Sequence, residues 1–296
     1  MGKVDEDLQA IAPDSPAPPP YSEAAQGSYG QAQASEGEDS PTSIDSTMSA
    51  YRPFPLITGA YYQWKMSATF HLGESADQRL YAVSTHIGWG RKGRPGIILH
   101  NGSTNKDPML AAAGEEPGWN DFSPNSVMML PPLPGSPQER CTELMRAGVS
   151  EKIVHFRFSI EVGHGKKLQR EDFVWQTCKG EEAKKLVDEP WECGFKLMRL
   201  PDRAAGRSGE GSKEAPSLPG EGQEILAVFA WNRGWSLTNP FRIQFVGSGR
   251  RAVMGERWEL MVVITALRLW WLKRQGRVSP NVVVSGEAGI VPGATG

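Results

Sequence analysis

Cysteine is scarce in this chain: three residues, Cys141, Cys178 and Cys193, odd in number and widely spaced. That argues against a disulfide framework and against a zinc ribbon. No apolar run reaches the roughly 20 residues that a membrane-crossing helix needs. The first residues, MGKVDEDLQA, contain no apolar core of a secretory signal. They begin Met-Gly, but Glu6 stands where a myristoylation signal has Ser or Thr. The expected compartment is therefore the cytoplasm, with peripheral membrane contact allowed. Catalytic signatures are missing too. There is no H-E-x-x-H, no G-x-S-x-G and no G-x-x-x-x-G-K-[ST]. The five histidines, at 71, 86, 100, 155 and 164, are scattered, and Glu161 beside His164 is an ordinary turn-flanking pair. We expect no enzyme, no metal and no cofactor. No nucleic-acid-binding motif is recognisable either.

What is present divides unevenly along the 296 residues. Residues 1–50 hold nine acids and one base, a net charge of -8, so the rest carries +6 of the overall -2. This first segment is rich in Pro, Ser, Gln and Gly and almost devoid of large apolar side chains. It cannot bury enough surface to offset the entropy of ordering, so a disordered tail is expected. The stretch 202–222, DRAAGRSGEGSKEAPSLPGEG, reads as a flexible insertion, and 276–296 as a loose C-terminal tail.

Between these, residues 51–275 read as one domain of short strands. In IVHFRFSIEV, Val154, Phe156, Phe158, Ile160 and Val162 alternate with His155, Arg157, Ser159 and Glu161. That is the period of a half-buried antiparallel strand. Similar runs, including EDFVWQTC, GFKLMRL, EILAVFAW and FRIQFVG, bring the expected number to nine to twelve. One helix is expected among them, about SPQERCTELMRAG.

The most apolar stretch is ERWELMVVITALRLWWLKRQ, Glu256–Gln275. Its longest uncharged run is the eight residues Leu260–Leu267, and Glu259 and Arg268 lie inside any candidate span. Each would cost about 2.5–3.5 kcal/mol near a bilayer centre, so a span is disfavoured. At 100° per residue its Leu, Val, Ile, Met and Trp residues point all round, which marks a buried helix rather than an interfacial one. Glu256 at its start and Lys273 and Arg274 at its end match the helix dipole. About 20 residues rise about 30 Å, and only the strands are available to surround them. The expected fold is mainly β: an antiparallel barrel wrapped around a hydrophobic C-terminal helix. Trp64, Trp175, Trp231, Trp258, Trp270 and Trp271 are expected in its core.

In this arrangement, and in LYAVSTHIGW, FSIEVG followed by REDFVWQ, and GERWELMVVITALRLW, the chain resembles the tubby C-terminal-like superfamily. That group includes tubby domains, LURP-one-related proteins and phospholipid scramblases. The likeness covers about Tyr51–Gln275 and is nearest to fungal proteins of this type. It implies the barrel-and-helix fold and, because tubby domains bind phosphoinositide head groups, an anionic lipid surface as a partner. The tubby binding residues have no residue-by-residue match here.

Two binding signals remain. PPPY, with Pro18, Pro19 and Tyr21, fits the P-P-x-Y ligand of WW domains. A proline run is already set as polyproline II and loses little entropy on docking. A WW-domain protein, such as a Nedd4-type ubiquitin ligase, is the partner implied, although chance in a proline-rich segment produces the same four letters. The second signal is basic and glycine-rich: Arg91, Lys92 and Arg94; Lys166 and Lys167; Arg250 and Arg251. Gathered at one barrel end, these loops would make an anion-binding patch. Ordinary solvated loop charge accounts for the same residues. The function read from the sequence is an intracellular adaptor without catalysis that recruits WW-domain partners and whose barrel binds anionic lipid; the alternatives are a structural or protein-interaction barrel with no lipid ligand, or an enzyme.

Overall fold

The computed structural model describes residues 51–62, 68–86, 95–116, 123–133, 136, 140–165, 167–178, 187–201, 223–233, 236 and 238–287. Twelve strands are formed among them. They are β1 Ile57–Tyr61, β2 Thr69–Gly73, β3 Arg79–Thr85, β4 Ile97–His100, β5 Met109–Glu115 and β6 Ser126–Leu130, followed by β7 Cys141–Ser150, β8 Ile153–Val162, β9 Gln169–Thr177, β10 Trp191–Arg199, β11 Ile225–Asn232 and β12 Phe241–Phe245. Each pairs antiparallel with its sequence neighbour, and β1 pairs with β12, so the sheet closes into a barrel. Closure leaves no strand edge of the barrel for another chain to extend.

Alternation along the strands supplies the inner surface. In β8 the residues Val154, Phe156, Phe158, Ile160 and Val162 are all buried in the core, as their period of two requires. Among the described residues three helices follow the sheet: α1 Arg251–Met254, α2 Glu256–Arg274 and α3 Pro280–Glu287. The core packs around α2, in which every residue from Trp258 to Leu272 is buried. Burying each Leu, Ile or Val side chain contributes roughly 1.5–3 kcal/mol, so the helix and the barrel wall stabilise each other. One polar link crosses the apolar interior. Trp175 Nε1 donates to Thr265 Oγ1 at 2.9 Å, and that hydroxyl turns back to Met261 O at 2.7 Å. Trp175, Trp258, Trp270 and Trp271 are core residues, Trp231 is half-buried against the core, and Trp64 lies outside the described residues.

Strand direction defines two ends. At the lower end, where α2 begins, Gly163 after β8 donates to Met254 O at 3.0 Å. At the upper end, where α2 finishes, Lys273 Nζ sits 4.0 Å over the ring of Trp231 in β11, and Arg274 lies 5.3 Å from the ring of Trp270. A strap, Tyr51–Leu56, packs across the lower end. Tyr51 donates to Glu259 Oε2 at 3.1 Å, Phe54 stacks on Tyr81 at 4.5 Å, and Leu56 O accepts from Phe245 N at 2.8 Å.

Three local expectations need correction. The helix expected at SPQERCTELMRAG is not formed; Cys141–Ser150 is strand β7. Glu143 hid the alternation, because it occupies an inward position that an apolar residue would normally fill, with Met145 and Ala147 continuing the same face. The segment after Gly276, expected to be loose, contains α3, which packs against β7 and β8 through the buried Val283. Cys178 and Cys193 are paired as a disulfide, because β9 and β10 bring two distant positions side by side with Cα atoms 5.8 Å apart. Cys141 is free.

Two substitutions test the helix-filled barrel. Thr265→Val removes the acceptor of the buried Trp175 indole and should lower stability by about 1–3 kcal/mol, a loss of several degrees in Tm. Ile264→Asp places an unpaired charge beside the barrel axis and should leave the protein unfolded or insoluble. Thermal melting followed by circular dichroism reads both, and unchanged melting of Ile264→Asp would overturn the buried position of α2.

Candidate functional site

At the lower end, two of the three basic loops meet. The β8–β9 loop turns through Gly163 and Gly165, both at positive φ (114° and 58°). It is clasped to α1 by the Gly163 N–H···O=C Met254 bond and by His164, whose Nε2 lies 3.0 Å from Ala252 O and must carry the proton to donate to it. Gly255, at φ 90°, makes the corner between α1 and α2. A Cβ there would stand 2.2 Å from Gly163 O, so only glycine permits the two loops to approach this closely.

This clasp sets Lys167 and Arg250 on one end of the barrel, both exposed. Ala252 is exposed alongside them, and Val253 is 55% exposed. Two cations near a protruding apolar residue form a surface that suits an anionic interface with an apolar interior. Arg251, next in sequence to Arg250, is committed elsewhere. Its side chain is only 14% exposed, it pairs with Glu256 at 2.5 Å and Glu259 at 3.0 Å, and its guanidinium lies 4.6 Å over the Tyr51 ring. Arg251 therefore anchors the helix start and the strap; Arg250 faces solvent.

The β3–β4 connection opens at His86 and closes at Gly96, and Gly96 lies against Trp271 near the finish of α2. Arg91, Lys92 and Arg94 themselves lie outside the described residues, as do Lys166 and the PPPY residues Pro18, Pro19 and Tyr21.

Sequence reasoning missed a charged cluster beneath the clasp. Arg257 Nε donates to Glu161 Oε2 at 2.6 Å, its Nη2 to Glu143 Oε1 at 3.3 Å and its Nη1 to Pro131 O at 2.8 Å. Arg170 joins the same two carboxylates from outside, reaching Glu161 Oε1 at 2.7 Å. Burial pushes the Glu161 carboxyl up, but its bonds to Arg257 and Arg170 outweigh that and hold it below the usual range. Two guanidiniums against two carboxylates make a neutral tie between the helix start and the wall. Glu161 and His164 have separate partners, so they form no acid–base pair. The signal was present as Glu143, the one acid on the inward face of β7. Also at this end is a cleft of about 640 Å³ between the strap and the β2–β3 turn, lined by Arg52, Arg79, Glu74 and Asp77 among others, whose charges are mixed in sign. Among the described residues, no group of three or more metal-ligating side chains is found, and no helix is long and apolar enough to cross a membrane.

No family model, curated protein or solved structure matches the chain. The functional reading therefore rests on these residues.

The buried Glu259 gives the lower end a pH signature. Burial pushes its carboxyl up to about 7, against the pull of Arg251. Between its ordinary value of 4.5 and about 7 the folded chain holds a proton here that the unfolded chain has released. This group's contribution to stability is therefore complete below the ordinary value and is lost as pH rises through about 7. Glu259→Gln should flatten that part of the profile, since the group that binds the extra proton in the folded chain is gone. Melting temperatures of both proteins from pH 4 to 8 measure it; parallel profiles would remove Glu259 as the source.

Proposed function

We propose that the chain is a binding protein without catalysis, whose barrel rests on anionic lipid surfaces through the clasped loops at the lower end and whose N-terminal tail recruits a WW-domain protein. One observation carries the lipid half: the loops that bear exposed Lys167 and Arg250 are joined by the Gly163–Met254 and His164–Ala252 bonds, and Val253 is exposed on the same short helix. Each cation near an anionic leaflet is worth about 1 kcal/mol, and an exposed valine adds apolar contact. A barrel filled by its own helix leaves binding to its ends and outer wall. The likeness to the tubby C-terminal-like superfamily agrees with this reading. Peripheral attachment from the cytoplasm follows from it.

The tail half rests on PPPY. Proline rings and Tyr21 make a local, largely apolar contact in which the barrel has no part. An adaptor of this design would bring a WW-domain enzyme, of which Nedd4-type ligases are the pattern, to a membrane surface.

The two halves separate in experiment. Lys167→Ala with Arg250→Ala should weaken co-sedimentation with phosphatidylserine vesicles by about 2 kcal/mol, roughly 30-fold, and raised salt should weaken wild-type binding through screening. Tyr21→Ala should abolish capture on an immobilised WW domain and leave vesicle binding intact. Vesicle binding that ignores both charge substitutions, or WW capture that ignores Tyr21→Ala, overturns the corresponding half.

A further inference from the structure

The cleft at the lower end, about 640 Å³, lies between the strap and the turn that joins β2 to β3. Its volume falls within the roughly 300–1,000 Å³ usual for small-molecule sites. Four charged residues line it: Arg52 from the strap, Glu74 and Asp77 from the turn, and Arg79 from the start of β3. All four are exposed. Two cations and two carboxylates in one cleft favour neither a bare anion nor a bare cation. They suit a ligand that carries both charges.

The backbone that bears these side chains is fixed. Tyr81 Oη donates to Arg52 O, and Phe54 stacks on the Tyr81 ring at 4.5 Å, which holds the strap. In the turn, Tyr61 Oη donates to Glu74 O at 3.0 Å, Gln78 N to Ser75 O at 3.2 Å and Arg79 Nε to Ala76 O at 3.4 Å. The side chains of Arg52, Glu74 and Asp77 enter no hydrogen bond or ion pair among the described residues, although acid and base line the same cleft. Elsewhere at this end opposite charges pair with each other, as Arg257 and Arg170 do with Glu143 and Glu161. In the cleft they stay available to a ligand.

The type of cation follows from the lining. A primary ammonium donates N–H bonds to carboxylates. A quaternary ammonium has none to donate and is held instead by a cage of aromatic faces. Phe54 is the one aromatic residue lining the cleft, and its ring is stacked on Tyr81. For the anion, the planar fork of arginine matches a phosphate. An ammonium and a phosphate joined by a short linker make phosphoethanolamine.

We propose that this cleft binds a phosphoethanolamine group, with its phosphate toward Arg52 and Arg79 and its ammonium toward Glu74 and Asp77. A lipid as the source of that group rests on the lipid reading of the lower end; the chemistry of the cleft does not.

Glycerophosphoethanolamine, titrated into the full chain at constant ionic strength, is the soluble probe. Amide resonances of the β2–β3 turn should shift saturably, and the choline and glycerol esters should bind more weakly. Glu74→Gln with Asp77→Asn should erase the preference for the amine. Arg52→Ala should weaken binding about tenfold, the effect of losing a charge-assisted hydrogen bond. These side chains are exposed and carry no bond among the described residues, so both variants should melt like the wild type. Phosphatidylserine vesicles with either phosphatidylethanolamine or phosphatidylcholine as second lipid test the source. With a lipid source, the ethanolamine lipid strengthens co-sedimentation of the wild type and not of Glu74→Gln, Asp77→Asn. Loss of all vesicle binding while the soluble ester still binds removes the lipid source and supports the cleft with a free ester. No saturable shift in the turn, or equal shifts with all three esters, overturns the proposal even where vesicles bind.

Discussion

The lumen of the barrel has to be filled, and α2 fills it. Twelve strands that close with inward Phe, Leu, Ile and Trp residues enclose a column far wider than those side chains span alone, and one helix apolar on every side completes the packing. Neither part is stable without the other. The helix would expose its whole circumference to water, and the sheet would surround a void. Other features accompany this dependence: the strap across one end, the helix α3 against β7 and β8, and the placement of charge near the two ends of α2, with Arg268 further in.

Those charges are arranged to let a hydrophobic helix end inside a hydrophobic shell. At its start, Arg257 ties to Glu161 and Glu143 on the wall, while Arg251 ties Glu256 and Glu259 to the strap through Tyr51. At its finish, Lys273 and Arg274 lie over tryptophan rings and match the negative end of the dipole. Breaking such a pair leaves a buried charge alone, so these ties specify where the helix sits more than they add to stability. Arg268 keeps one buried donor, Nη1, with no hydrogen-bond partner among the described residues, as does Arg242 at its Nε.

A sheet closed on itself also limits how the protein can bind. With no free edge, strand addition is ruled out within the barrel, and with the lumen occupied a lipocalin-like cavity is not available. What remains are loops and ends. The lower end presents exposed Lys167 and Arg250 from two loops that the Gly163–Met254 and His164–Ala252 bonds clasp together. Glycine at 163 and 255 is what allows that proximity.

Much of the architecture was legible in the residues because burial writes itself as periodicity. The all-round apolarity of Glu256–Gln275 excluded a surface helix, and alternation in stretches such as Ile153–Val162 marked strands and their inner faces. Where a polar residue was turned inward the reading failed: Glu143 made β7 look helical, since its partner Arg257 is 114 residues away and no local pattern reveals it. The Cys178–Cys193 pair and the helix at Pro280–Glu287 depend likewise on which segments become neighbours. The candidate site divided the same way. The sequence alone determined which loops are basic and glycine-rich, because composition is local. Only the tertiary structure decided that Arg250 and Lys167 share an end, that His86 and Gly96 lie at the other, that Arg251 is engaged with Glu259, and that Arg268 keeps an unused donor. Each of these turns on strand direction and closure, which bring together residues whose separation along the chain carries no record of their contact.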